Sequence, residues 1–507
     1  MTSTSKMRPA WLAAFLSFLA WAILFGLIYG QSPLYTSNQN TYFLHGMAQA
    51  GFGQLSRDWT AQTMELMPVF SWLVFLTYKI FHSQIPSYLY YALLMGMYLF
   101  SVFGIMDTLF DLRHSRSRTL VFTTLFLTFH SAALRFILSR GVDADATFLF
   151  EGGVAGQRIL GQVFQPSTFG VFLPLSIHFF LRKRPFLALI PMAVAIYFHP
   201  VYLLTGALLT IAYMWVTWRE EKSLRKPFLL GLTSLVIVAP SVVYTAFINW
   251  SSSPAVADKV FDILVNFRNP HHALVSSWLD WTVTVKAVIF LAALVVVRKT
   301  RLFPILVIVA LGVVVLTVIQ GITGSATLAL LFPWRVSILL VPLGLAAILA
   351  YGAVRVKIPE RVAVGLSFML ITGLVFVGVT RFQIEYARLH TGAARPMMAW
   401  VAEHQSTTDT YLIPAKMTAF RLATGMPVFI DFETAPDRSN DVLEWYRRLQ
   451  LVYAFYYGLP DPCAALHDLA VNEGLTRAVV PAADPDTVCP SLTTLYADPD
   501  YIIYEIK

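Results

Sequence analysis

Two carboxylates stand two residues apart in a polar stretch of this chain. The segment SRGVDADATFLFEGG contains Asp143 and Asp145 as an Asp-x-Asp pair. Carboxylates this close on a loop can jointly hold a hard cation such as Mg²⁺ or Mn²⁺, and such an ion neutralises a leaving phosphate. The pair is therefore a candidate for catalysis and for metal binding. An ordinary solvated loop is the alternative.

Four histidines stand in polar stretches where they could contact a substrate. They are His45 in FLHGM, His199 in YFHPVY, and the neighbours His271 and His272 in RNPHHAL. An imidazole with a pKa of about 6.5 can exchange a proton or contact a phosphate at neutral pH. The adjacent pair could also bind a metal, but no cysteine or third histidine lies at ligand spacing. Substrate contact and a structural role in the loops both stay open.

Membrane helices are the elements that must position these residues. Of the 507 residues, 57% are hydrophobic and 13% are charged, a composition too apolar for a water-soluble protein. Residues 11–30 contain no charge, and a helix of about 20 such residues spans a bilayer because its backbone groups pair internally. The net charge of +8 does not indicate a nucleic-acid partner, since Lys and Arg cluster in short loops between apolar blocks. We expect a lipid bilayer as the environment.

The apolar blocks predict a polytopic α-helical membrane protein with about 11 transmembrane helices. Five basic clusters all fall on the side of the N-terminus, which the positive-inside rule assigns to the cytoplasm. If the block 67–82 crossed the membrane, every later basic cluster would move to the opposite side. We therefore predict an interfacial or re-entrant helix there. The clusters are 113–118, 182–184, 219–226, 298–301 and 355–357. The predicted spans are 11–30, 86–108, 119–137, 166–181, 186–199, 201–217, 228–248, 284–297, 302–320, 328–350 and 362–380.

Three long loops then lie on the external face of a plasma (inner) membrane. They are residues 31–85, 138–165 and 249–283, and they are rich in Asn, Gln, Asp, Arg, His and Trp. Loops longer than about 12–15 residues are more often functional or disordered than merely connective, and the aromatic content argues against disorder. We expect the first apolar block to be retained as a helix rather than cleaved as a signal peptide.

The composition changes near residue 381, so we divide the chain into a transmembrane domain, 1–380, and an external domain, 381–507. Extended stretches such as YLIP, PVFID, RAVVP and YIIYEI alternate there with helix-like runs at 441–457 and 463–473. This order predicts a small α/β domain with a largely parallel sheet. The two cysteines, Cys463 and Cys489, can form a disulfide if the domain faces an oxidising compartment, and are otherwise free thiols.

The first long loop carries an ordered motif: Asn38, Gln39 and Tyr42, then Asp58 and Trp59, then Pro68. This order resembles the GT-C superfamily of membrane glycosyltransferases, which use polyprenyl-phosphate sugars. Those enzymes carry an acidic pair shortly before the Tyr, then Asp-Trp, then a Pro-rich entry to an apolar helix. The resemblance covers roughly residues 1–380 in architecture and about 35 residues in motif. The chain departs from it where amides replace the acidic pair, because an amide neither takes a proton at pH 7 nor binds a divalent cation strongly.

The resemblance implies roles for the residues that match the pattern. Asp58 is the carboxylate that keeps its place, and would act as general base on an acceptor hydroxyl. The alternative is that Asp58 caps an interfacial helix. Asn38, Gln39 and Tyr42 would contact the substrate.

A polyprenyl-phosphate donor also needs a cationic partner for its phosphate. Arg158 and Arg335 are the candidates, because the guanidinium fork can pair two phosphate oxygens. Arg335 lies inside the apolar block LFPWRVSILL, where a charge is expensive and usually functional. Its alternative role is snorkelling of the side chain to the interface.

The sequence therefore predicts a GT-C-like protein that transfers a sugar from a polyprenyl-phosphate donor to an external acceptor in the cell envelope, with Mg²⁺ or Mn²⁺ as the cofactor that the Asp pair would hold. A catalytically inactive relative that binds lipid-linked sugars or assists an envelope-assembly complex is the second prediction, favoured by Asn38 and Gln39. A transporter is the third, but transporters typically show discontinuous helices and internal repeats, and we find little of either in the sequence.

Overall fold

In the computed structural model of the protein, apolar helices dominate the first four-fifths of the chain. The structure describes residues 10–250, 253–458, 462–483, 489 and 491–506. Within these residues seven helices are long and apolar enough to cross a membrane, and a bent pair of helices could form an eighth. The chain is thus a polytopic helical membrane protein. The seven are Trp11–Tyr29, Pro86–Phe110, Pro200–Glu221, Arg225–Ile248, Leu302–Thr323, Ala326–Arg355 and Glu360–Thr391; the bent pair is Arg116–Phe129 with Ala132–Gly141.

Four further apolar helices are shorter. Three occupy predicted spans, and Pro68–Phe81 occupies the block 67–82. Pro185–Phe198 has 14 residues and so rises about 21 Å, against a hydrocarbon core of about 30 Å. Length alone therefore does not make these helices membrane spans, and eleven crossings stay a prediction. The three are Pro166–Leu181, Pro185–Phe198 and Trp281–Val297.

The long polar loops meet one another at one end of the helices. The Ser32 backbone N–H donates to the Gln162 carbonyl at 2.7 Å, which joins the first loop to the second. His272 Nδ1 lies 2.7 Å from the Ala155 carbonyl, which joins the third loop to the second. We call this end the loop face. It comprises residues 31–85, 138–165 and 249–283 with the C-terminal domain.

The basic clusters meet at the opposite end. Arg116 pairs with Glu360 at 3.3 Å, and Arg301 pairs with Glu220 at 2.6 Å. Segments far apart in sequence thus place their Lys and Arg residues together, as the charge pattern predicts. The two ends of the helical bundle therefore differ in chemistry.

Short helices build most of the loop face. Leu44–Gln49 packs closely on Pro68–Phe81, because a Cβ atom on Gly46 would lie 2.5 Å from the Ser71 carbonyl oxygen. Such close approach fixes the first loop over the apolar core. The short helices are Gln39–Tyr42, Leu44–Gln49, Leu55–Arg57, Trp59–Gln62, Leu112–His114, Ala144–Phe148, Pro254–Asp262, Ile263–Arg268, Pro270–Ala273, Val275–Trp278, Ala326–Leu330 and Pro333–Val336, of which Leu112–His114 alone lies at the opposite end.

The C-terminal domain contains a four-stranded sheet with order β1-β2-β4-β3, where β1 is Tyr411–Leu412, β2 Arg477–Pro481, β3 Thr493–Ala497 and β4 Tyr501–Glu505. The prediction of a largely parallel sheet is wrong. Only β1 and β2 run parallel, while β2 pairs β4 and β3 pairs β4 antiparallel. The sequence reading missed β3, and the three residues between β3 and β4 allow only a hairpin. The segment PVFID forms a single parallel bridge from Val428 to Tyr411.

The predicted helices of this domain are present as Ser439–Tyr457 and Pro462–Glu473, with Arg395–Glu403 and Phe420–Thr424 in addition. Trp445 is fully buried and its indole N–H donates to the Asp431 carbonyl at 2.9 Å. Cys463 and Cys489 are joined in a disulfide.

One buried ion network fastens the C-terminal domain to the first loop. Arg421 is 1% exposed; its Nε donates to Asp58 Oδ2 at 2.7 Å, and its Nη1 pairs with Asp431. Both carboxylates are fully buried. One Arg thus neutralises an acid from each side of the contact, and loss of this partner would leave two buried carboxylates without a counter-charge.

Two glycines allow the backbones of the two segments to approach closely at the same contact. The Gln54 N–H donates to the Gly425 carbonyl at 2.7 Å. Gly53 has φ +54° and Gly425 has φ +71°, and a Cβ on Gly53 would lie 2.4 Å from the Gly425 oxygen. Glycine is required here by both conformation and space.

We predict that Arg421→Met lowers the free energy of unfolding by about 3–5 kcal/mol, because it leaves two buried carboxylates without a counter-charge. Arg447→Met is the matched control, since Arg447 pairs with Glu444 and Glu473 but is 47% exposed, and exposed pairs contribute about 0–1 kcal/mol. Thermal unfolding of the detergent-solubilised protein measures both. Equal shifts for the two variants would contradict the prediction.

Candidate functional site

Arg335 is a half-buried cation without a carboxylate partner among the described residues. It lies in the one-turn helix Pro333–Val336, at the start of the apolar helix Ser337–Arg355. Its Nη1 is 3.3 Å from His199 Nε2, and its guanidinium lies 5.1 Å from the centre of the Phe332 ring. Its Nε atom is buried and has no hydrogen-bond partner. A buried charge of this kind is costly unless an anion pairs with it.

Arg158 and His272 lie in the same neighbourhood. Arg158 stacks 3.9 Å from the centre of the Phe148 ring, and its Nε is also buried without a partner. Burial, and after it the charges of His271, Arg335 and Arg158, lower the pKa of His272 to about 3, against a smaller opposing effect of the hydrogen bond to Ala155. His272 is therefore neutral at pH 7.

Tyr42 lies between opposite charges. Burial raises the pKa of Tyr42, Arg335 and Arg268 lower it, and Asp437 and Glu433 raise it. The helix Gln39–Tyr42 therefore brings its last residue within electrostatic range of cations from the membrane part and of acids from the C-terminal domain.

Asp437 is held beside a second titratable pair. Its Oδ2 accepts from the Leu66 backbone N–H at 2.7 Å, and burial raises its pKa to about 6. His45 Nδ1 lies 3.7 Å from Glu65 Oε2, and that carboxylate also accepts a short bond from the Ser71 hydroxyl. His45, one of the four histidines predicted as candidates, thus contacts a neighbouring acid.

The amides that replace the acidic pair are tied into the fold. Gln39 is 2% exposed; its Oε1 accepts from the Tyr35 N–H at 2.9 Å and its Nε2 donates to the Phe164 carbonyl at 3.2 Å. Asn38 is exposed and donates to Gln165 Oε1 at 3.1 Å. Gln39 is therefore closed to a substrate, whereas Asn38 is accessible.

Asp58 is not available as a general base. It is fully buried, and its Oδ1 accepts from the N–H groups of Thr60 and Ala61 at 3.0 and 3.2 Å. Its Oδ2 accepts from Arg421 and from the Val428 N–H at 2.7 and 3.0 Å. The alternative role as a helix cap is the one that the structure shows, with the ion pair in addition.

Asp143 and Asp145 do not form a metal site. Both are exposed, and Asp143 caps the helix Ala144–Phe148 by accepting from the Asp145 N–H at 3.4 Å. No group of three His, Cys, Asp or Glu side chains that could hold a metal ion occurs among the described residues. Two solvated carboxylates do not fit a resident Mg²⁺ or Mn²⁺ ion, which needs further oxygen ligands in fixed geometry. His271 is likewise exposed, beside His272.

Sequence reasoning missed Asp437, Glu65 and Arg268. Asp437 stands in APDRSND, which reads as a turn and helix start, and Glu65 stands in the apolar setting MELMP. Of these residues, the sequence could have indicated only Glu65, because it is a lone carboxylate between methionines in a long loop that we predict to be functional. Asp437 gave none, because its contact with Leu66 joins positions 371 residues apart.

Two cavities lie elsewhere in the molecule. A surface groove of about 610 Å³ runs where the last long helix meets the C-terminal domain and is lined by His390, Arg395 and Asp500. A pocket of about 60 Å³ is lined by Arg135, Arg381 and Glu385. Neither is lined by Tyr42 or Arg335, so the candidate site rests on the arrangement of charges rather than on a deep preformed cavity.

Comparison with known proteins finds one segment that is similar to a family. The family described as a domain of unknown function, DUF6798, matches residues 392–452. The matched segment includes Arg421, Asp431 and Asp437, the residues through which the C-terminal domain meets the first loop. No curated protein sequence matches the chain.

The raised pKa of Asp437 predicts a pH-dependent effect on stability. Ionisation of Asp437 lowers the free energy of unfolding, because the folded protein favours the protonated carboxyl. This loss begins near pH 4, where Asp437 ionises in the unfolded chain, and is complete above about pH 6. A shift of about two units corresponds to about 3 kcal/mol at most. Asp437→Asn removes the charge and can still accept the Leu66 bond, so we expect it to melt higher than wild type, by a margin that widens from pH 4.5 to pH 8.

Thermal unfolding at the two pH values measures this margin. Glu433→Gln is the control, because Glu433 is exposed and pairs with Arg268. A margin for Asp437→Asn that is the same at both pH values would show that Asp437 titrates normally.

Proposed function

We propose that the loop face binds a polyprenyl-phosphate-linked sugar on the external side of the plasma membrane, and that the protein transfers this sugar to an external acceptor. The observation that carries the proposal is the half-buried guanidinium of Arg335, whose buried Nε has no partner and which has no carboxylate partner among the described residues. A phosphate would supply the missing counter-charge and could accept from the unpartnered Nε.

The position of Arg335 favours a lipid-linked phosphate over a soluble one. Arg335 precedes the apolar helix Ser337–Arg355, and its neighbour His199 precedes the apolar segment Pro200–Glu221. Both side chains therefore stand where a short helical turn gives way to a long apolar helix, a position that suits a phosphate headgroup at the membrane interface. A polyprenyl chain could then extend along the exposed apolar side chains of the neighbouring helices.

The sugar would lie toward Tyr42 and the second loop. Asn38 is exposed and is oriented by Gln165, and Tyr42 has no hydrogen bond from another described residue through its hydroxyl. Trp278 and Trp334 pack together at 5.0 Å between ring centres beneath this region. A few oriented polar groups over an apolar, aromatic base are typical of small-molecule sites.

A protein that binds the lipid-linked sugar without transferring it is the second candidate. The observations that favour it are the amides at Asn38 and Gln39 and the complete engagement of Asp58 in the contact with Arg421. Both candidates share the binding step at Arg335 and differ only in whether the bond from sugar to phosphate is broken.

We predict that Arg335→Gln weakens binding of a polyprenyl-phosphate sugar by about tenfold to a hundredfold, because it removes a charge-assisted contact of about 1.5–3 kcal/mol. Radiolabelled polyprenyl-phosphate glucose and mannose, titrated against the full chain in lipid nanodiscs, give the dissociation constants. Arg381→Gln is the matched control, since Arg381 already pairs with Glu385 at 3.3 Å, and we expect it to bind within about twofold of wild type.

Release of polyprenyl phosphate from the bound donor separates the two candidates, since it reports transfer to any hydroxyl, including water. Release supports the transferase, and binding without release supports the binding protein. No binding of either donor, or equal binding by wild type and Arg335→Gln, would refute the proposal.

A further inference from the structure

The transfer reaction needs a proton acceptor that the first loop does not supply. Asn38 and Gln39 are amides, and both oxygens of Asp58 are engaged by backbone N–H groups and Arg421. A general base must therefore come from elsewhere, and the carboxylates near Tyr42 are candidates. Three acids lie in this region: Glu65, Glu433 and Asp437.

Two of these acids are already committed. Glu65 accepts a short hydrogen bond from the Ser71 hydroxyl and lies 3.7 Å from His45. Glu433 is exposed and forms a 2.9 Å pair with Arg268. Each of these acids has a side-chain partner at its Oε2, the Ser71 hydroxyl for Glu65 and the Arg268 guanidinium for Glu433.

Asp437 differs from both. The Leu66 N–H holds its Oδ2 at 2.7 Å, which fixes the orientation of the carboxylate. No described residue donates a hydrogen bond to the other oxygen, Oδ1, and the side chain is half-buried rather than closed off. Asp437 thus combines one anchored oxygen with one free oxygen, within electrostatic range of the same tyrosine as Arg335.

Its environment also suits proton transfer. Burial raises the pKa of Asp437 to about 6, while the Leu66 N–H and His45 lower it and Glu65 raises it. A base of this pKa is largely ionised at neutral pH and remains more basic than an ordinary carboxylate, which is the useful compromise for general-base catalysis.

We propose that Asp437 is the general base of the transfer, contributed to the site by the C-terminal domain; this inference rests on the function proposed above. The acceptor hydroxyl oxygen forms a bond to the anomeric carbon of the sugar while its proton passes to Asp437 Oδ1. The bond between that carbon and the phosphate oxygen breaks, and polyprenyl phosphate leaves with the electron pair, its charge neutralised by Arg335. Asp437 then loses the proton to water.

The test compares Asp437→Asn with wild type as full-length protein in lipid nanodiscs, with polyprenyl-phosphate glucose and mannose as donors and octyl glucoside as acceptor. We expect kcat to fall by about a hundredfold or more, as for loss of a general base, while the dissociation constant of the donor changes less than about twofold. Glu433→Gln is the control and should keep kcat within about threefold of wild type.

The pH profile adds a readout that a structural role would not move. Wild-type kcat should decline as pH falls through about 6, and the residual rate of Asp437→Asn should lack this decline. The titratable groups that interact with Asp437 are His45, Glu65, Tyr42 and Tyr244. Arg335, Arg268 and Glu433 lie one step further away and interact with Tyr42. Glu65→Gln, measured in parallel, shows whether that neighbour carries the decline instead.

The outcomes separate this inference from the proposed function. Transfer by wild type and equally by Asp437→Asn overturns the inference and leaves the transferase standing. Loss of kcat only in Glu65→Gln overturns it in favour of Glu65. Binding of donor by wild type without any release of polyprenyl phosphate overturns both the transferase and the base.

Discussion

The guanidinium of Arg421 is the contact on which the loop face depends. It stands between Asp58 of the first loop and Asp431 of the C-terminal domain, and all three groups are buried. Because a buried carboxylate is tolerated only with a partner, this one cation holds two separate segments in register. The backbone contact of Gly53 with Gly425 sets the distance between them. Asp437 reaches Leu66 as a consequence of this arrangement.

The same region shows two opposite uses of arginine. Arg421 is saturated with acids and belongs to the architecture, whereas Arg335 has a histidine as its polar neighbour and an unpartnered Nε. Burial without a counter-charge costs stability, and proteins keep such groups where a ligand supplies the charge. The contrast in partners, rather than burial itself, distinguishes the candidate site from the scaffold around it.

Much of the membrane architecture could be predicted from the sequence, because apolar length and basic clusters are local signals. Long helices such as Pro86–Phe110 and Leu302–Thr323 follow directly from them. The sheet could not be predicted in the same way, since the segment that forms the hairpin of β3 and β4 has only a weak strand pattern in the sequence. Asp58 failed as a catalytic residue for a different reason: its partner Arg421 lies 363 positions away, and no local pattern reports such a contact. Arg335 could be predicted as a candidate because a charge inside an apolar run is visible without knowing any contact.

That separation of 363 positions also orders the biogenesis of the protein. The first loop emerges early in synthesis, while Arg421 emerges only after the last long helix, Glu360–Thr391, has been made. Until then Asp58 has no cation to accompany it into the interior, so the loop cannot close around it. The loop face is therefore completed last. A chain whose synthesis stops before the C-terminal domain is a bundle of helices with an incomplete polar surface that is open to quality-control proteases.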